Sequence, residues 1–241
     1  MRALIHKEIQ AFLGSLIGHL VIGVFLLLTG LFLWVFPGNI LDTGYADLGT
    51  LFYIAPWVFL FLVPAVTMRS FSEERRTGTI ELLLTKPITE LRLVLGKYFA
   101  AVLLVLLALV PTLVYWYSIG NLAVPAWNID NGGIRGSYLG LFFLASSFAA
   151  MGIFASSLTD SQIVAFLIAV LLCFLVYVGF DLVADFSAFG AWEGPLKNLG
   201  IQQHYTSMSR GVVDLRDVLY FIGLDAIFIM ATRTVLQSRT W

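Results

Sequence analysis

Residues 70–87 read SFSEERRTGTIELLLTKP and lie between two long apolar runs, residues 48–68 and residues 98–119. The whole chain of 241 residues is 59% hydrophobic and only 12% charged. Soluble domains are about 45–50% apolar and about 25% charged. The chain is therefore predicted to be an integral membrane protein whose charges concentrate where the polypeptide leaves the bilayer.

The apolar runs predict an all-α polytopic membrane protein. A spanning helix needs about 20 mostly apolar residues, and six segments meet this requirement: residues 16–36, 48–68, 98–119, 137–158, 162–183 and 218–234. Only three residues separate the fourth segment from the fifth, which favours a tight helical hairpin over one bent helix. We treat residues 1–241 as a single transmembrane domain.

Lysine and arginine placement predicts the orientation. If the N-terminus is cytoplasmic, ten of these residues lie inside and four lie outside. An excess of positive charge marks the cytoplasmic side. Both termini are therefore expected in the cytoplasm.

The first 15 residues have an amphipathic pattern. Ile5, Ile9 and Phe12 recur at helical spacing, with His6 and Lys7 elsewhere on the helical wheel. Such a helix is expected to lie in the inner membrane interface. The alternative is a simple cytoplasmic extension of span one.

The charged segment is predicted to be one short helix. Ser70 and Glu73 have the spacing of a capping box at a helix start. Gly78 weakens the helix locally, and Pro87 prevents its continuation. The alternative is a solvated loop whose positive charges only set the topology, but acidic residues contribute little to topology and this segment is rich in them.

Three stretches resemble a known family. Residues 71–88 with Leu95-Gly96-Lys97, and residues 136–141 with residues 152–159, are similar to type 2 ABC-transporter permeases. The tail, residues 204–221, resembles a narrower group within that family, the permease subunits associated with gliding motility in Bacteroidota.

The resemblance implies a bacterial inner-membrane protein in which a cytoplasmic coupling helix, here residues 70–87, docks on a separate ABC ATPase. It implies that these residues lie on the coupling helix: Glu73, Glu74, Arg75, Arg76, Thr77, Gly78, Thr79 and Glu81. It also implies pairing with a second membrane subunit or a second copy of the chain. Other cargoes, such as copper-site maturation or drug efflux, and a complex that drives a periplasmic partner without moving substrate, remain open.

The chain has no phosphate-binding loop of its own. Gly96-Lys97 is followed by Tyr98 and lacks the preceding glycine spacing. ATP and magnesium are therefore expected on the partner ATPase, and no cofactor, metal cluster or catalytic pair is expected in this chain. The net charge of −1 argues against a nucleic-acid partner.

Residues 184–217 are too polar to span and are expected to form an extracytoplasmic or re-entrant segment. They carry polar side chains that suit either an outer gate or contact with a partner: His204, Tyr205, Ser209, Arg210, Asp214, Arg216 and Asp217. The alternative is a set of local ion pairs that anchors span six.

Asp225 lies near the middle of span six. A charge at mid-bilayer costs at least about 2.5 kcal/mol, so it is expected to face protein or a cavity. Its role is either a hydrogen bond at a subunit interface or a place on a transport pathway.

Overall fold

A computed structural model describes residues 2–84, 89–185 and 193–238. Every regular element in these ranges is helical, which confirms the predicted all-α class. Residues 85–88 of the predicted coupling segment and residues 186–192 of the segment between spans five and six lie outside the described residues.

Six helices are long and apolar enough to cross a membrane, which is the predicted number. They are Leu16–Trp34, Gly49–Arg76, Glu90–Leu122, Asn131–Leu158, Gln162–Ala184 and Leu215–Gln237. Three of them contain an irregularity. The second span is interrupted for one residue at Met68. The third span contains a 3₁₀-helical turn at Val110–Thr112, and the fifth span contains a π-helical turn at Leu175–Gly179.

The element order is as follows: α1 Arg2–Leu13, α2 Leu16–Trp34, α3 Ile40–Thr43, α4 Gly49–Thr67, α5 Arg69–Arg76, α6 Thr79–Leu84, α7 Glu90–Leu109, α8 Leu113–Leu122, α9 Asn131–Leu158, α10 Gln162–Phe174, α11 Phe180–Ala184, α12 Glu193–Lys197, α13 Ile201–Ser209 and α14 Leu215–Gln237. The α5 end of the bundle carries α1, α5, α6 and the start of α7. The α13 end carries the starts of α4 and α9, the π-helical turn and α13.

Helix α9 is the centre of the bundle and packs against α4, α7, α10, α13 and α14. Small residues let its neighbours approach closely. A Cβ atom on Gly152 would lie 2.0 Å from Oγ1 of Thr67 in α4, and one on Gly136 would lie 2.4 Å from the carbonyl oxygen of Met208. Neither site has room for a larger side chain, so α9 packs closely against α4 and α13 at these glycines.

The hairpin between spans four and five is also confirmed. Helix α9 ends at Leu158, and α10 begins at Gln162 after Ser161, whose hydroxyl accepts from the backbone N–H of Val164. The two helices then pack side by side.

Helix α1 is separate from span one. The chain breaks at Gly14 and Ser15, and the Ser15 hydroxyl accepts from the backbone N–H of Gly18 at the start of α2. Instead of extending α2, α1 packs on α7, where the Leu4 side chain would lie 2.5 Å from a Cβ on Gly96. This arrangement contradicts the simple extension of span one.

The predicted capping box at Ser70 and Glu73 is wrong. Helix α5 follows α4 after a break of one residue at Met68, and no side chain of its own segment caps it. The Ser156 hydroxyl of α9 replaces that cap: it accepts from the backbone N–H groups of Phe71 (2.9 Å) and Ser72 (3.1 Å). These are among the N–H groups that a helix start leaves unpaired.

The prediction of one helix over residues 70–87 is also wrong. Helix α5 ends at Arg76, and α6 begins at Thr79. Gly78 lies between them with a φ of +69°, a left-handed conformation that glycine adopts without steric cost. The helix is therefore interrupted at Gly78, which the sequence pattern marked only as a weak place in a single helix.

Candidate coupling site and its polar neighbours

Lys97 of α7 forms a junction between three parts of the chain. Its Nζ lies 2.6 Å from the carbonyl oxygen of Ser70, 2.8 Å from Oε1 of Glu74 and 3.0 Å from Oε1 of Glu8. A lysine ammonium has three N–H donors, so all of them are used. The Phe71 ring lies 5.0 Å from the same nitrogen. We call Lys97, Glu8 and Glu74, with the Ser70 carbonyl, the Lys97 junction.

Burial makes this junction strong. The Lys97 residue is 2% exposed and Glu74 is 9% exposed. A buried charge is tolerated only when it is paired and hydrogen-bonded. Lys97 therefore holds α1, through Glu8, and α5, through Glu74 and Ser70, against the start of span three.

A cavity of about 340 Å³ adjoins the junction, between α1, the end of α4, α5 and α7. Lys7 lies at its edge, 3.7 Å from both Glu8 and Glu74. Within the described chain, Oε2 of Glu74 has no hydrogen-bond partner. The charges around this cavity are mixed and mutually paired.

The residues predicted to couple to an ATPase divide into two groups. The first faces the protein: Glu74 binds Lys97, Glu73 binds Arg69 at 2.9 Å, and Arg75 donates to the carbonyl oxygen of Ser157. Glu74 is therefore not on the surface that a partner could contact, although the sequence reading placed it there.

The second group is exposed at the end of α5 and just after it. It consists of Arg76, Thr77, Gly78, Thr79 and Glu81. The hydroxyls of Thr77 and Thr79 lie 2.9 Å apart across the glycine. We call these five residues the α5–α6 tip.

Asp225 is bound inside the chain. It accepts hydrogen bonds from Tyr98 of α7 at 2.8 Å, from Ser146 at 2.9 Å and from Ser147 at 2.7 Å, both of α9. The side chain thus joins spans three, four and six, and the expectation that it faces protein is confirmed. The partners that the structure shows are within the chain, so neither a subunit interface nor a pathway is needed to explain it.

Two of the polar residues before span six, His204 and Asp214, bind the start of α14. His204 is between Oδ1 of Asp217 (2.7 Å) and the carbonyl oxygen of Asn198 (2.9 Å), and its ring stacks on Tyr220 at 3.9 Å. This contact fastens α13 to the start of α14. Asp214 caps α14 by accepting from the N–H of Arg216.

Tyr205 and Ser209 face the bundle. The Tyr205 hydroxyl donates to the carbonyl oxygen of Phe52 at 2.7 Å, and the carbonyl oxygen of Ser209 accepts from the Ser137 hydroxyl at 3.2 Å. Burial raises the pKa of the Tyr205 phenol well above its ordinary value, so the hydroxyl stays a donor. In contrast, Arg210 and Arg216 are exposed.

Lys197 of α12 is a second paired cation at the α13 end. It lies 2.8 Å from Glu193 and 2.9 Å from Asp185. Hydrogen bonds to Glu193 and to Asp185 raise the pKa of its ammonium, so it is charged at neutral pH. These pairs hold α12 against the end of span five.

No group of three or more His, Cys, Asp or Glu residues in the described ranges could hold a metal ion. Gly96 and Lys97 lie inside helix α7, so they form no phosphate-binding loop. Cys173, the single cysteine of the chain, is buried.

Sequence reasoning missed three side chains that organise the α5 end. Lys97 entered only as a positive charge for topology and as part of the Leu95-Gly96-Lys97 resemblance, and Glu8 and Ser156 were given no role of their own. One signal pointed to Lys97: it is a lysine in an otherwise apolar helical run. Its partners, however, lie 89, 27 and 23 residues away along the chain.

Comparisons with known proteins bear on this architecture. No curated protein matches the sequence. Residues 57–217 match the family model described as ABC-2 family transporter protein. The match runs from within α4 to the start of α14 and so includes α5, Lys97, Ser156 and α13. The chain therefore belongs to the ABC-2 transporter family.

Proposed function

We propose that this chain is the transmembrane subunit that receives ATP-driven motion at its α5–α6 tip and passes it to the bundle through the Lys97 junction. Family membership implies a membrane-embedded transporter component and an ABC ATPase as partner, with ATP hydrolysis in that separate subunit. ATP and magnesium are accordingly assigned to the ATPase.

One observation carries the proposal: the C-terminal end of α5 is exposed, and its N-terminal part is held by hydrogen bonds to α7 and α9. Arg76, Thr77 and Glu81 are free to contact a partner. One turn earlier, Glu74 is fixed to Lys97, and the start of α5 is fixed to Ser156. A force on the tip therefore reaches α1, α7 and α9 through short polar contacts.

The proposal places the α5 end in the cytoplasm of a bacterial inner-membrane protein, with both termini on that side. The excess of lysine and arginine at this end supports the orientation. The exposed apolar faces of α2, α10 and α14 are expected to meet lipid and a second membrane subunit or a second copy.

The cellular process proposed is gliding motility. The support is the resemblance of residues 204–221 to the permease subunit GldF, a stretch that forms α13 and the start of α14. The alternatives are a permease of the same family for another exported cargo and a complex that drives a periplasmic partner without moving substrate.

A cysteine-labelling experiment tests the docking surface. In a Cys173→Ser background, Glu81→Cys reports on the tip, and Ser238→Cys is a matched exposed site at the end of α14. The ATPase that co-purifies with the tagged chain is expected to slow maleimide labelling of Glu81→Cys several-fold and to leave Ser238→Cys unchanged. Equal labelling of Glu81→Cys with and without the ATPase would contradict the proposal.

A further inference from the structure

The α13 end of the bundle contains a cavity of about 460 Å³ that the coupling role does not use. It lies between the starts of α4 and α9, the π-helical turn in span five and α13. Small-molecule sites are concave, mostly apolar and roughly 300–1,000 Å³ in volume. The cavity therefore has the size of such a site, with a wall that is more polar than is usual.

The charged side chains that line the cavity are all acidic. Asp47 and Asp130 line it, and no lysine, arginine or histidine does. Neither aspartate forms an ion pair with a residue that the structure describes. Asp130 uses only Oδ1 to cap α9, by accepting from the N–H groups of Gly132 and Gly133 at 3.0 Å. A cation in the cavity would meet two uncompensated carboxylates.

Aromatic side chains form part of the remaining wall, beside the neutral polar residues Ser137, Gln202, Thr206 and Ser209. Trp57 is 39% exposed and Tyr53 is 71% exposed, so their rings are accessible from the cavity. Trp57 makes an edge contact with Tyr177 at 5.9 Å between ring centroids. Aromatic faces attract ammonium groups, and clusters of such rings are the usual recognition site for quaternary ammonium ligands.

Tyr177 gives a third, independent indication of a ligand. It is 5% exposed and lines the cavity, yet its hydroxyl makes no hydrogen bond to any described residue. Tyr205, on the same wall, has its hydroxyl bound to the Phe52 carbonyl. The Tyr177 oxygen is not among the fully enclosed unpaired atoms of the described residues. Because Tyr177 lines the cavity, its hydroxyl is a polar contact available to a ligand there.

The backbone also sets Tyr177 apart, because it belongs to the π-helical turn Leu175–Gly179. Such turns are rare and frequently occur at functional sites. Tyr177 packs between Trp57 and Phe148, whose ring centroid is 6.0 Å away. The turn thus places a polar group in the cavity at the cost of regular helical hydrogen bonding.

We propose that this cavity binds an alkylammonium group, with Asp47 and Asp130 supplying charge, Trp57 and Tyr53 supplying ring faces and the Tyr177 hydroxyl contacting a polar substituent. The ligand is either a soluble organic amine or the headgroup of an amine-bearing lipid, since both present the same chemistry. The site does not depend on ATPase docking, and its test contains no ATPase.

Choline is the probe, because it combines a quaternary ammonium with a hydroxyl. Radiolabelled choline is bound to the purified full-length chain in phosphatidylglycerol nanodiscs, which contain no amine headgroup. Unlabelled choline is expected to compete, and its neutral isostere, in which a tert-butyl group replaces the trimethylammonium, is expected not to compete. Equal competition by the two would overturn the proposal, as would the absence of choline binding.

Substitutions locate the site. Asp47→Asn and Asp130→Asn are each expected to weaken choline binding about fivefold, the effect of one unit charge about 4 Å away in water. Trp57→Leu is expected to weaken it by a similar factor through the lost ring face. Asparagine caps helices as well as aspartate does, so Asp130→Asn keeps the start of α9 intact.

Asp214→Asn is the matched control. Asp214 is also an exposed aspartate that caps a helix at the α13 end, but it does not line the cavity. The proposal expects unchanged choline binding in this variant, and a loss equal to that in Asp130→Asn would overturn it. Repeating the assay in phosphatidylcholine nanodiscs separates the two sources: lost binding supports a lipid headgroup, and retained binding supports a soluble amine.

Discussion

The two ends of this bundle use charge in opposite ways. At the α5 end, the Lys97 ammonium is almost fully buried, and each of its three donors has an acceptor. At the α13 end, Asp47 and Asp130 line a cavity that has no lysine, arginine or histidine in its wall, and the Tyr177 hydroxyl has no hydrogen-bond partner among the described residues. The first arrangement suits a joint that must hold, and the second suits a site that exchanges a ligand.

The physical reason lies in solvation. Removing one partner from a buried ion pair leaves a charge without water, so such a pair resists separation. Carboxylates at an open cavity keep most of their hydration and can release it to an incoming cation. We therefore expect stability to depend on the α5 end and ligand affinity to depend on the α13 end.

Lys97→Met should give the largest loss of stability. It leaves the buried Glu74 and the half-buried Glu8 beside an apolar side chain, and breaking a buried pair in this way costs about 3–5 kcal/mol. Thermal unfolding in detergent can be followed through Cys173, which is buried and is the only cysteine of the chain. A thiol-reactive dye labels it only after the fold opens.

The double variant Lys97→Met/Glu74→Gln separates charge from packing. It removes one cation and one anion and leaves the pair of Lys7 and Glu8, which are 3.7 Å apart. We expect it to recover most of the stability lost in Lys97→Met. If the double variant unfolds as early as the single variant, the unpaired carboxylate is not the cause.

Ser156→Ala should have an intermediate effect. The substitution leaves the N–H groups of Phe71 and Ser72 without the hydroxyl that caps α5. An unsatisfied buried donor costs about 1–3 kcal/mol. The dye assay should show a lower unfolding temperature for Ser156→Ala than for Ser238→Ala, which removes an exposed hydroxyl near the C-terminus.

Asp47→Asn and Asp130→Asn should have the smallest effect on stability. Both side chains are exposed and lack an ion-pair partner in the described ranges, and exposed substitutions of this kind usually change stability by less than about 0.5 kcal/mol. Unfolding temperatures close to that of the unaltered chain are expected. A large loss in either variant would show that the α13 end also depends on its charges for folding.

The sequence predicted the parts of this fold that depend on local pattern. Hydropathy located six spans, the three residues after Leu158 indicated a hairpin, and a charge in span six indicated a buried contact for Asp225. Thr89, a residue type that is common at helix starts, caps α7 by accepting from the backbone N–H of Arg92.

The parts that failed depend on contacts distant in sequence. Ser70 and Glu73 have capping-box spacing, but the α5 cap is Ser156, 84 and 85 residues from the groups it binds. Glu74 was placed among the ATPase-coupling residues, because nothing nearby in the sequence shows that it is buried against Lys97. The sites that matter most here are made where helices meet, and single-sequence periodicity carries no information about which helices meet.

The most direct test of the central claim is the rate of ATP hydrolysis by the co-purified ATPase in nanodiscs, measured with the unaltered chain and with Lys97→Met/Glu74→Gln. The double variant keeps the α5–α6 tip, so the ATPase should still bind it. It lacks the joint between α5 and α7, so its stimulation of hydrolysis should fall several-fold. Unchanged stimulation by a folded double variant would contradict the role of the Lys97 junction.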